Sequence, residues 1–230
     1  MNYKELDWDS NFFGKKVIRL DVTPADHIAD IERILASNKF QVAYIYSQKT
    51  TSEQSILFSK FGAKCYDHKV IFRKALSVAE KQIFDDIVHF DKITPQLQTL
   101  IISSGHLSRY YLDPRFRSFQ PELYKIWLDK CYKNPNAAVA GFVVDNTPVA
   151  AAAFSATNAQ GHMELIAVSP AFRKQGFAGK LMTAAEYFYQ QHNATEAEVV
   201  TQLDNIAACR LYERCGYTVA ETVDVWHCWK

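Results

Sequence analysis

A chain of 230 residues can bury one large core or two small ones without disulfides or a structural metal. With 26 Lys plus Arg against 25 Asp plus Glu it is near neutral, which argues against a polyanion-binding surface spread over the fold and leaves nucleic acid out of the expected partners. The five cysteines are odd in number, scattered and without a CxxC pair, so free thiols in a reducing cytoplasm are expected.

The opening MNYKELDWDS has no apolar core that could serve as a secretory signal, and no apolar run approaches the roughly 20 residues of a membrane helix. A cytoplasmic chain without a membrane partner is expected. From Lys16, KVIRLDV alternates with strand period, and Pro24 opens ADHIADIERILASN, whose Ile28, Ile31, Ile34 and Leu35 share a helical face. Val42–Ser47 reads as a buried strand, SEQSILFSKFG as a helix ending at Gly62, and Cys65–Arg73 as another strand. Residues 75–82 are polar and weakly patterned, which places a boundary near Leu76, between an N-terminal domain of residues 1–76 and a second domain of residues 77–230.

After a strand at IVHF, a helix is expected from Pro95 to about His106, then a loop with Asp113-Pro114. The segment PELYKIWLDKCY follows, with Leu123, Ile126, Trp127 and Cys131 on one face. Ala137–Asp145 and Pro148–Thr157 read as strands joined at Asp145-Asn146-Thr147, a hairpin signal, and His162–Val168 as a third in an antiparallel meander. A helix from about Gln175 to Gln191, a strand Glu198–Gln202, a helix from about Asn205 to Cys215 and an end strand Val219–Trp229 complete the pattern.

The chemistry concentrates where the strand ending at Val168 meets the next helix, in AVSPAFRKQGFAGK. Gly176 and Ala178 at a helix start let a ligand approach the backbone, and the first helical N–H groups lack intrahelical partners. The helix dipole, with Arg173, Lys174 and Lys180, makes pyrophosphate the natural guest. The strand before it belongs to a meander and GFAG is neither GxGxxG nor a P-loop, which disfavours a dinucleotide or nucleoside-triphosphate fold.

At these residues the sequence resembles the GNAT superfamily of acetyltransferases, whose motif runs from a strand ending in Val through Arg-x-x-Gly-x-Gly or Ala; here it reads Val168, Arg173, Gly176 and Ala178. A second signature, Asn and then a helix carrying Tyr, matches Asn205, Tyr212 and Gly216-Tyr217. The resemblance implies an α/β fold of α+β kind, with a mixed, largely antiparallel twisted sheet flanked by helices and a smaller, partly GNAT-like N-terminal domain. It implies acetyl-CoA as acyl donor, held by Ala167, Val168, Arg173, Lys174, Gln175, Gly176, Phe177, Ala178, Gly179, Lys180, Asn205 and Ala208, with a backbone N–H near Ala167 or Val168 for the oxyanion. By the same resemblance, Asn205 bonds the pantetheine arm and Tyr212 is the general acid. A phenol with pKa of about 10 is protonated at neutral pH, as that role requires.

A base must also deprotonate the attacking amine. His162 and Glu164 lie two apart on the preceding strand and so on one side of the sheet; a solvated polar pair is the alternative reading. The segments LDWDSNFFGKKVIRLDV and SRYYLDPRF are similar to those of GNAT enzymes that acetylate nucleotide-linked amino sugars, of the TDP-fucosamine acetyltransferase kind. In that resemblance Trp8, Asp9, Phe12, Phe13 and Gly14 form a substrate-side wall or a domain contact, with plain core packing the alternative for Phe12-Phe13, and Arg109 and Arg115 are candidates for a nucleotide diphosphate. The acceptor could equally be a polyamine, antibiotic or peptide amine, and a non-catalytic acyl-CoA-binding regulator is a further alternative. No metal is expected, because His27, His68, His89, His106, His192 and His227 share no ligand spacing. The C-terminal strand could pair across a homodimer or complete its own sheet.

Overall fold

The structure, a computed structural model, describes residues 1–37, 39–77 and 84–230. Its elements are β1 (Asn2–Glu5), α1 (Asp7–Phe13), β2 (Val17–Val22), α2 (Ile28–Ala36), β3 (Val42–Ser47), α3 (Ser52–Lys60), β4 (Lys64–Ala75), β5 (Val88–His89), α4 (Pro95–Ser103), α5 (Arg109–Leu112), α6 (Gln120–Lys133), β6 (Ala137–Val144), β7 (Thr147–Thr157), β8 (Gln160–Val168), α7 (Phe177–Gln191), β9 (Glu196–Gln202), α8 (Ile206–Arg214) and β10 (Thr218–Trp229). Two compact units divide the chain. One comprises Met1–Val70, Gln202–Asp204 and Glu221–Lys230; the other comprises Ile71–Thr201 and Asn205–Ala220.

In the first unit the strand order is β1-β2-β3-β10-β4, with β2 and β3 parallel, β1 antiparallel to β2 and β10 antiparallel to β3. Its core gathers Ile18, Leu20, Ile31, Leu35, Ile45 and Phe58, the residues that the strand and helix periods turn inward. Helix α2 starts four residues after Pro24 because the Thr23 N–H and hydroxyl donate to the Asp26 carboxylate at 2.6 and 2.9 Å, closing a turn first. Asn38, at the end of the expected helix, lies outside the described residues. Helix α3 starts on a capping box, in which Thr51 and Gln54 each accept the other's backbone N–H at 3.2 Å. The last strand completes its own sheet: Asp224–Trp229 of β10 pair with Ser47–Val42 of β3. Strand β1 and helix α1 have no counterpart in the periodicity, since all four residues of β1 are exposed and α1 buries only Phe13.

The second unit is a meander, β5-β6-β7-β8, extended by β9 parallel to β8. Its tight turns carry Asp145-Asn146 at φ 48° and 60° and Asn158-Ala159 at φ 50° and 64°, the left-handed pairs that two-residue hairpins need. The run Ala150–Ala153 in β7 is fully buried, and small side chains on both faces let helices sit close. On one face Leu97, Leu100 and Ile101 of α4 and Leu128 and Cys131 of α6 pack with Ala151, Ala153, Leu165 and Ala167. On the other, Phe188 and Tyr189 of α7 meet Phe154. The expected strand at IVHF shrinks to two residues, and the polar stretch 75–82 lies partly outside the described residues. These mixed sheets with flanking helices have the expected α/β class.

Candidate active site

Strands β8 and β9 are partners for only part of their length. Pairing runs from Gln160↔Glu196 to Met163↔Val199 and stops, while β8 continues to Val168 and β9 to Gln202. The parting begins where β8 carries an extra residue: its register with β7 jumps from Met163↔Phe154 to Leu165↔Ala153, leaving Glu164 as the bulge. Beyond it, Ala167 and Val168 keep β7 as neighbour on one side and, among the described residues, have no paired strand on the other. Helix α7 follows β8 and α8 follows β9, so both helices begin at the open end of the gap. Ligands of open parallel strand pairs bind at that end, outside the carboxyl ends of the strands.

The α7 entrance is built for close backbone approach. After a short 3-10 turn at Pro170–Phe172, Lys174 (φ 63°) and Gly176 (φ 86°) are both left-handed, and Gly176 is the helix N-cap. The first α-helical bond runs from Lys180 N–H to Gly176 O, so the preceding N–H groups of the first turn point outward. A Cβ at Gly176 or Gly179 would meet nothing within 4 Å, so the space in front of this helix end is open. Arg173, Lys174, Gln175 and Gly176 are exposed, with Arg173 Nε also donating to Val168 O at 3.3 Å. Phe177 turns inward onto Phe142, with ring centroids 4.6 Å apart, and the Lys180 ammonium pairs with Asp86.

On α8, Asn205 is the N-cap. Its carbonyl accepts from the Ala208 N–H at 3.3 Å and its amide donates to Thr201 Oγ1 at 3.3 Å, so it fixes the helix start with both ends of its side chain. Tyr212, two turns on, is 3% exposed, its ring 5.7 Å from Phe72 and 6.4 Å from Tyr217. Burial pushes the Tyr212 phenol well above its ordinary range, with smaller contributions from Cys209 and Cys215. Tyr217 is raised in the same way by burial and by Glu186, to which it is hydrogen-bonded.

Of the two base candidates, Glu164 stands at the bulge and accepts a 2.6 Å hydrogen bond from Ser155 Oγ. His162 lies at the last paired stretch before the parting, its Nδ1 4.0 Å from Glu198, which is itself held by Arg73 Nε at 2.9 Å. Ser155, Glu198 and Arg73 are partners that the sequence reading missed, because no motif marks them. Val200 and Ile206, 42% and 55% exposed at the edges of the gap, were missed too, although EVVTQ shows the alternation that turns Val200 outward.

In the first unit Trp8 and Phe12 stack at 5.0 Å on one face of α1, with Trp8 exposed, while Phe13 is buried and Asp9 half-buried. Arg109 is turned inward and 9% exposed, its guanidinium bonded to the Tyr110 hydroxyl, whereas Arg115 is exposed. His68, which the sequence reading left without a ligand partner, sits beside Cys65 and Asp224.

Residues 105–217 match the acetyltransferase (GNAT) family model. The spore coat polysaccharide biosynthesis protein SpsD of Bacillus subtilis is 23% identical over 99% of this chain and 82% of its own length. Among solved structures, a functionally unknown conserved protein from Staphylococcus epidermidis superposes with a TM-score of 0.61 at 13% identity, covering 93% of this chain and 84% of that one. A tandem GNAT protein from the clavulanic acid biosynthesis pathway gives 0.57 at 11% identity, over 93% of this chain and 75% of that one.

Proposed function

From a chain that carries a GNAT acetyltransferase domain, and is thereby an acetyl-CoA-dependent N-acetyltransferase, we infer the acceptor: the amine of a nucleotide-linked amino-deoxysugar, TDP-linked in the first instance, in cell-surface polysaccharide synthesis. The observation that carries the acceptor is the similarity to SpsD, which extends over 99% of the chain and so includes the first unit as well as the acetyltransferase domain. For the donor, the support is the open left-handed entrance at Gly176 beside the parted edge of β8.

In this reading the pyrophosphate of acetyl-CoA lies against the N–H groups from Gly176 to Gly179, with Arg173 and Lys174 beside it. The pantetheine arm follows the unpaired edge of β8 between Val200 and Ile206. The acceptor amine loses a proton to Glu164 or His162 and attacks the thioester carbonyl. A backbone N–H at Ala167 or Val168 holds the oxyanion, and the C–S bond breaks as Tyr212 delivers a proton to the departing sulfur. Of the two arginine candidates for the acceptor's diphosphate, Arg115 is exposed whereas Arg109 is turned inward, which makes Arg115 the better placed.

Release of free CoA, followed with TDP- and UDP-amino sugars, a polyamine and a peptide amine in parallel, tests the acceptor. Turnover with the nucleotide sugars is expected. Turnover with the polyamine or peptide and none with the nucleotide sugars would overturn the assignment.

A further inference from the structure

Three side chains of unlike chemistry converge in the first unit. Cys65 and His68 lie on β4 and Asp224 on β10, and one ligand atom from each lies within 4.8 Å of the others. His68 Nδ1 is 2.7 Å from Asp224 Oδ1 and 4.0 Å from Cys65 Sγ. Both neighbours address the same ring nitrogen. A nucleophilic relay needs the opposite arrangement, with the carboxylate on one nitrogen and the thiol on the other, so this is not a Cys-His-Asp catalytic triad.

Atoms that converge on one point suit a shared centre. A tetrahedral zinc ion takes thiolate at about 2.3 Å and imidazole or carboxylate at about 2.0 Å, which sets adjacent ligand atoms about 3.3–3.6 Å apart. The histidine and carboxylate would move apart by roughly half an ångström, and the thiol would move in by roughly half an ångström towards the imidazole and by up to about 1.3 Å towards the carboxylate. The carboxylate is already oriented, since Thr50 Oγ1 donates to its other oxygen, Asp224 Oδ2, at 2.8 Å, as an outer partner of a metal ligand does. Solvent can enter: the His68 and Asp224 side chains are 49% and 30% exposed. They also line a pocket of about 110 Å³, shared with Lys49 and Lys69, which leaves room for a water or small anion as fourth ligand.

We propose that Cys65, His68 and Asp224 form a three-ligand zinc site with one exchangeable position, tying β4 to β10 within the first unit. Binding replaces the thiol proton of Cys65 by the metal and releases that proton to solvent. The mixed thiolate, imidazole and carboxylate set is of the kind zinc and cobalt(II) accept and magnesium or calcium do not.

The test is titration of the full, chelator-stripped chain with Co(II), read by the thiolate-to-cobalt charge-transfer absorption, alongside thermal unfolding with and without Zn(II). Wild type is expected to develop the band at one equivalent and to melt higher with zinc. Cys65→Ser should lose the band and the thermal shift. His68→Ala should weaken cobalt binding at least about tenfold. Circular dichroism confirms that each variant is folded, and cysteine mapping by alkylation, in which zinc should shield Cys65 alone, reads the site without a substitution. Absence of the band in wild type, its survival in Cys65→Ser, or shielding of a different cysteine would overturn the proposal.

Discussion

Tyr212, the proposed proton donor, shows what burial does to a phenol. Enclosed against Phe72, its phenol ionises with more difficulty than a free tyrosine, so the donor form stays filled throughout the neutral and mildly alkaline range. General acid catalysis by a positioned group contributes about 10²–10⁴ in rate. Tyr212→Phe is therefore expected to lower kcat by about that factor while acetyl-CoA affinity, measured by calorimetry, stays near wild type. Equal losses in kcat and affinity would place Tyr212 in packing instead. The sequence made Tyr212 and Asn205 legible as a pair seven residues apart, but not their orientations. Spacing cannot show that Asn205 uses its whole side chain on Thr201 and Ala208, or that Ser155, seven residues upstream of His162, reaches Glu164 across a bulge.

At the scale of elements, two glycines set the geometry of the site. Gly161 in β8 lies under α7, where a Cβ would stand 2.2 Å from the Tyr189 ring. Gly161→Ala should cost about 1–3 kcal/mol through overpacking, read from urea unfolding, and should loosen the strand that leads into the site. Gly176 has room for a Cβ, but its φ of 86° is a conformation that β-branched residues resist, and the room is where the pyrophosphate is placed. Gly176→Val is thus expected to abolish acetyl-CoA binding and, by forcing a β-branched residue into the left-handed region, to cost about 1–3 kcal/mol of folding stability, with circular dichroism confirming that the variant stays folded. Normal binding in that variant would remove the pyrophosphate from this helix end. The helices, strands and hairpin turns of this unit were readable because apolar period and turn residues act locally. The bulge, the parting of β8 from β9 and the seat of the last strand against β3 depend on partners far along the chain, which a linear pattern does not carry.

Across the whole molecule, ionisable groups that burial keeps neutral make stability depend on alkali. Burial raises the Cys131 thiol from 9.0 to about 12, with Glu164 adding to the shift, and burial with help from Asp91 raises Tyr132 from 10.0 to about 12. The unfolded chain therefore gives up these protons first. Their contribution to stability is full below pH 9 and is lost as pH climbs from 9 towards 12. Urea midpoints are expected to fall over that window, and Cys131→Ala should flatten part of the slope while lowering the plateau below pH 9. A slope unchanged in the variant would assign the loss to other groups.

The half-paired β8 also bears on how the protein keeps to itself. An unpaired strand edge is a template on which another polypeptide can polymerise, and outer edges are commonly shielded by charge or irregularity. Here part of the bare edge is interior: β9 stays zipped to β8 through Met163, so the opening narrows to an ordinary strand spacing of about 4.8 Å at its closed end. A foreign strand needs that spacing twice over along its length and cannot lie down in such a wedge. The backbone groups from Leu165 to Val168 are accordingly reachable by a slender, tapering guest yet closed to fibril-like stacking.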